Sequence, residues 1–87
     1  MLEYLAEFIG TFIFLFVIIT TTNPFLIGLT LSAMIVMCSK FSQCHFNPAV
    51  SFMMFFNKKI DITKLIIYIA IQMFAGFSVF IFRSTIP

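Results

Sequence analysis

The side chains that could do chemistry are few, and the densest group of them is Cys44, His45 and Asn47. Acid–base catalysis needs paired titratable groups, and the chain offers 3 acids and 1 histidine. That scarcity argues against an enzyme. A metal site fares no better: His45, Cys38 and Cys44 together fall short of the ligand set of a structural zinc. No metal and no cofactor are expected. His45 reads as a hydrogen-bonded structural residue, and the cysteines, in apolar surroundings, suggest no secreted disulfide framework.

What remains is hydrogen-bonding chemistry. Asn47-Pro48-Ala49-Val50 reads as a helix start, with Asn as the N-cap and Pro in the first turn. The unpaired N–H groups and the macrodipole of such a start place about half a positive charge at its tip. Just ahead of it, Ser42-Gln43-Cys44-His45-Phe46 supplies a row of carbonyl acceptors. A positive tip beside such a row repels cations and still accepts neutral hydrogen-bonding solutes.

The elements that position this segment follow from composition. Hydrophobic residues make up 62%, charged residues 9%, and the mean hydropathy is +1.17. A water-soluble domain carries about 25% charged residues. The chain is therefore read as a membrane protein of one domain, with no basis for nucleic-acid binding. Phe8–Ser39 carries no charge and would be about 48 Å long as one helix, against a hydrocarbon core of about 30 Å. It must turn, and Thr20-Thr21-Thr22-Asn23-Pro24 is its strong punctuation. Spans are expected over about 3–21, 24–39 and 62–82. Between them, 41–57 is uncharged but opens too polar to span. Its apolar part, Pro48 to Phe56, reaches about 14 Å as a helix, half a bilayer. The expected fold class is all-α membrane: three transmembrane helices plus one re-entrant half-helix. Non-helical backbone at that depth is tolerated only where it is buried in protein or lines water.

Lys40, Lys58, Lys59 and Lys64 all fall between the second and third spans, and Arg83 alone follows the third. The bias sets the lysine side and the N-terminus in the cytoplasm. The lysines are read first as this topology signal, with anionic lipid as a lesser alternative. A signal peptide would want a basic start, whereas Glu3 and Glu7 are acids. Glu7 lies inside the first span, where an acid is a functional candidate. Ala6, Gly10, Gly28, Ser32, Ala75 and Gly76 are small enough to let helices approach closely.

Three segments together resemble the N-terminal half of the aquaporin, or major intrinsic protein, family. Ala6-Glu7-Phe8-Ile9-Gly10-Thr11 resembles its first-helix signature. Ser42-Gln43-Cys44-His45-Phe46-Asn47-Pro48-Ala49-Val50-Ser51 resembles its first re-entrant loop, and Tyr68-Ile69-Ala70-Ile71-Gln72 with Ala75-Gly76 its third helix. The resemblance implies a single half-repeat over 1–87. Asn47 would then donate its side-chain amide to solute in the pore. Pro48 and Ala49 would complete the tip, and the carbonyls around Gln43, Cys44 and His45 would accept from the solute. Glu7 would brace the loop near His45, and Ile27 would occupy a selectivity position. The positive half-helix end is the device known from aquaporin-type pores. Ser39 and Gln43 stand where the family usually has glycine.

The function implied is passive transport of water or a small neutral solute such as glycerol. Three spans and one half-helix do not enclose the family's usual pore, so an oligomer or a partner chain is expected to supply a second half. A separate partner carrying the other half, or a parallel homo-oligomer, agrees with the basic bias better than an inverted homodimer. The alternative is a truncated, non-conducting protein or an interaction subunit of full-length channels.

Overall fold

The computed structural model describes residues 1–87, and all four elements are helices: α1 (Leu2–Thr20), α2 (Pro24–Cys38), α3 (Pro48–Phe56) and α4 (Ile62–Ser84). Their starts are written in the sequence. The Asn23 Oδ1 accepts from the Phe25 and Leu26 N–H groups at 2.9 and 3.2 Å, with Pro24 in the first turn of α2. The Asp61 Oδ1 accepts from the Lys64 N–H at 2.8 Å and starts α4. These caps satisfy N–H groups that a helix leaves free at its N-terminus.

Two helices, α1 and α4, are long and apolar enough to cross a membrane by length and composition. At 1.5 Å per residue they reach about 28 and 34 Å, and α2 about 22 Å. The apolar helix α2 is thus short of a full span taken alone. α1 packs against both α2 and α4, while α3 rests on α4. Small residues explain part of this packing. Ala75 is fully buried, and a Cβ on Gly76 would meet the Leu15 Cδ1 at 3.6 Å, so α1 and α4 approach closely there. Gly28 faces open space and Ser32 is exposed, so neither serves a contact within this chain.

The interior mixes apolar residues such as Met34, Phe46, Leu65 and Val79 with the polar Glu7, Thr11, His45, Ser51 and Gln72, while Phe25, Leu29, Val36, Phe56, Met73 and Phe77 stand exposed. So many large exposed apolar side chains would be unusual for a water-soluble domain. The aromatic side chains of α1 and α4 interleave along one seam, with Phe12 and Phe16 each about one ring from Phe82, at 5.9 and 5.6 Å between centroids.

Candidate functional site

The connection between α2 and α3 is irregular and is held by side chains from every helix it meets. Cys44 and Phe46 adopt left-handed backbone conformations, with φ of 59° and 54°. Each such residue costs roughly 1–2 kcal/mol when it carries a Cβ. Gln43 is not among them, so the usual glycine is lost there without left-handed strain. Ser39 closes α2 in an ordinary right-handed conformation. What the turn needs, therefore, is restraint at its N–H groups.

Three restraints are present. The Glu7 Oε1 on α1 accepts from the Phe46 N–H. The Tyr68 hydroxyl on α4 accepts from the Gln43 N–H at 3.2 Å. The Ser42 Oγ accepts from the Cys44 N–H at 3.0 Å. The Phe46 ring then packs over Gly10: a Cβ on that glycine would stand 2.2 Å from the ring Cε1. Phe46 also joins Met34 and Cys38 in a small apolar cluster, which Cys44 and Ala6 flank.

Beneath the turn lies a buried polar chain. The Gln72 Nε2 donates to the Glu7 Oε1 at 3.1 Å and to the Ser51 Oγ at 2.9 Å. The Ser51 Oγ lies 2.7 Å from the His45 Nδ1. Since Gln72 is the donor to Ser51, the serine hydroxyl is free to donate to Nδ1, and that assignment puts the histidine proton on Nε2. Glu7 is 0% exposed and forms no ion pair. Breaking this chain at any link would leave a buried polar group unsatisfied, at about 1–3 kcal/mol. Four buried polar atoms in and beside this chain have no partner, Glu7 Oε2, Thr11 Oγ1, His45 Nε2 and Gln72 Oε1, and Thr11 and Gln72 line a cavity with Phe46, Asn47, Pro48 and Phe77.

Asn47 sits at the mouth of that cavity, which measures about 590 Å³. Its Oδ1 accepts from the Ala49 N–H at 2.7 Å and so caps α3. With the oxygen turned to the helix, the amide nitrogen Nδ2 is left without a partner on an exposed side chain. The carbonyls of Gln43, Cys44 and His45 accept no hydrogen bond from the protein backbone. One exposed donor thus follows three free acceptors along the chain. Chemically, this arrangement can pass or hold a neutral group that both donates and accepts.

The structure brings Glu7, His45, Asn47 and Pro48 together around one turn. Ala49 adjoins them at the first turn of α3, exposed, and Cys44 turns its Sγ toward the Ile35 carbonyl at 3.6 Å. Ile27 stands apart: it is half-buried in the first turn of α2 and does not line the Asn47 cavity. Four contributors were not singled out as site residues from sequence, namely Glu3, Ser51, Tyr68 and Gln72. Gln72 and Ser51 carried a usable signal, since each is a polar side chain within an apolar helix. Lys64, grouped with the topology lysines, also has a partner, the Glu3 carboxylate at 3.1 Å.

Residues 1–83 match the family described as Major intrinsic protein. The chain is 38% identical over 81 residues to the "Glycerol uptake facilitator protein-like 6" of Lactiplantibacillus plantarum, covering 83% of this chain and 38% of that relative. The 87 residues therefore span well under half the length of the curated relative they match. No solved structure matches.

Proposed function

This chain belongs to the major intrinsic protein family, whose members are channels and not enzymes, and from that premise we propose that it is one half of a passive pore for water or a small neutral solute. In this reading α1, α2 and α4 cross the bilayer, and residues 41–57 enter from the cytoplasmic side and return to it. The extended residues between α1 and α2, Thr21 to Asn23, add to the length that the helix lacks. The tip of α3 lies near the midplane. There the Asn47 amide donates to the solute, and the carbonyls of Gln43, Cys44 and His45 accept from it. Glu7 braces the loop, and Ile27 narrows the path where an aromatic residue is common in water-selective relatives. The exposed apolar faces meet lipid and a further protein half, which closes the pore.

The observation that carries this reading is the division of labour within Asn47. Its Oδ1 is committed to the Ala49 N–H, which leaves Nδ2 as a fixed donor at the cavity mouth. Osmotic swelling of vesicles containing the protein tests it. The reading expects swelling that is lost with Asn47→Asp, which keeps the cap but replaces the donor by a charged acceptor. Swelling indifferent to that change contradicts it.

A further inference from the structure

The Gln43 N–H is held by a route that does not involve Glu7. The Tyr68 hydroxyl accepts from it at 3.2 Å and donates to the Glu3 Oε2 at 2.6 Å. The same Glu3 oxygen lies 3.1 Å from the Lys64 Nζ. These four residues come from α1, α4 and the turn, and they form one line from a partly exposed ion pair to a peptide of the turn. Each member is in a defined role. Tyr68 is 0% exposed, and its ring is wedged edge-on against Tyr4 and His45, with centroids 6.2 and 4.9 Å away. The hydroxyl therefore has little freedom to leave the Gln43 N–H. Lys64 is placed by its own helix start, since its N–H is the one that the Asp61 cap receives.

The Gln43 N–H belongs to the Ser42–Gln43 peptide; the Gln43 carbonyl belongs to the next one, which leads into the left-handed Cys44 and whose N–H the Ser42 Oγ holds at 3.0 Å. Glu7 acts only at Phe46, on the far side of His45. Without the Tyr68 bond the first half of the turn would be held only by the Ser42 Oγ bond to the Cys44 N–H, and the Ser42–Gln43 peptide would be free to relax. We propose that Lys64, Glu3 and Tyr68 form a second brace, with Tyr68 as a positioning residue that fixes the Ser42–Gln43 peptide and so, together with the Ser42 bond to the Cys44 N–H, orients the first of the carbonyl acceptors. The consequence for solute passage rests on the channel reading; the brace itself does not.

Cys44, the next residue, is a native reporter. In a Cys38→Ser background, labelling of Cys44 by a membrane-permeant maleimide reads the opening of the turn in lipid vesicles. Tyr68→Phe removes only the hydroxyl. It is expected to raise the labelling rate about tenfold, the effect of losing one hydrogen bond. Glu3→Gln keeps an acceptor for the tyrosine and is expected to stay within about twofold of the parent. Glu3→Leu removes that acceptor and is expected to raise the rate. Val79→Ala, buried on α4 outside the network, serves as the control for general loosening. A Tyr68→Phe protein that labels at the parental rate overturns the brace. So does a Val79→Ala protein that labels as fast as Tyr68→Phe. Swelling of the same vesicles reports separately on the channel reading, and with or without swelling the labelling comparison decides the brace.

Discussion

Gly10 lies directly beneath the ring of Phe46, so close that any Cβ there would overlap the ring, at 2.2 Å from its Cε1 and 2.5 Å from its Cζ. The glycine is thus a packing requirement, set on α1 by a side chain 36 positions further along the chain. Phe46 has no easy retreat, because its own backbone is left-handed and its N–H is tied to Glu7. Gly10→Ala should therefore destabilise the protein by about 1–3 kcal/mol through overpacking. Unfolding in detergent measures this. Combined with Phe46→Ala, the same substitution should cost much less than it does alone, a coupling that a double-mutant cycle reads directly.

Glu7 has a different task from an ordinary buried acid. Two donors converge on one of its oxygens, the Phe46 N–H and the Gln72 amide. Glu7→Leu leaves both without that acceptor and should cost about 3 kcal/mol or more. Glu7→Gln still offers an acceptor oxygen, and its cost should be clearly smaller. Equal losses in the two variants would show that shape, and not hydrogen bonding, is what the site needs.

Ser51 passes the Gln72 interaction on to His45. Ser51→Ala should release the histidine ring at a cost of about 1–3 kcal/mol. The ring nitrogen resonances of His45 should report it: the parent is expected to carry its proton on Nε2, and the variant to show a mixture of tautomers. An unchanged tautomer in the variant would remove Ser51 from that role.

Asn23 and Asn47 make a useful contrast, since both cap helices that begin with proline. Asn23→Ala should cost about 1 kcal/mol of stability and leave swelling intact. Asn47→Ala should cost a similar amount and abolish swelling. A matching effect of the two substitutions on swelling would reduce Asn47 to a structural cap.

The four helices were legible in the sequence, with ends differing by at most about two residues, because charge, Asn-Pro caps and the Asp61 start act locally. Glu7, His45 and Asn47 could also be selected, since polar groups in an apolar chain demand partners. The partners themselves could not. Glu3 reads as an acid in a first helical turn, and only the packing of α1 on α4 sets it 2.6 Å from a tyrosine hydroxyl 65 positions away. Lys64 likewise reads as one more topology lysine until that packing gives it Glu3. The left-handed backbone of Cys44 and Phe46 was hidden for a related reason. Neither residue favours that conformation, so no local propensity announces it, and side-chain restraints from α1, α4 and the turn itself impose it.

The depth of α3 in the bilayer tests the central claim most directly. Ala49 and Phe56 are both exposed and lie at opposite ends of that helix, so a spin label on a cysteine placed at either one reports its own depth in oriented vesicles. The account predicts the label at Ala49 near the bilayer centre and the one at Phe56 about 10 Å shallower, toward the cytoplasmic face. Equal depths at the interface, or the two labels on opposite faces, would contradict it.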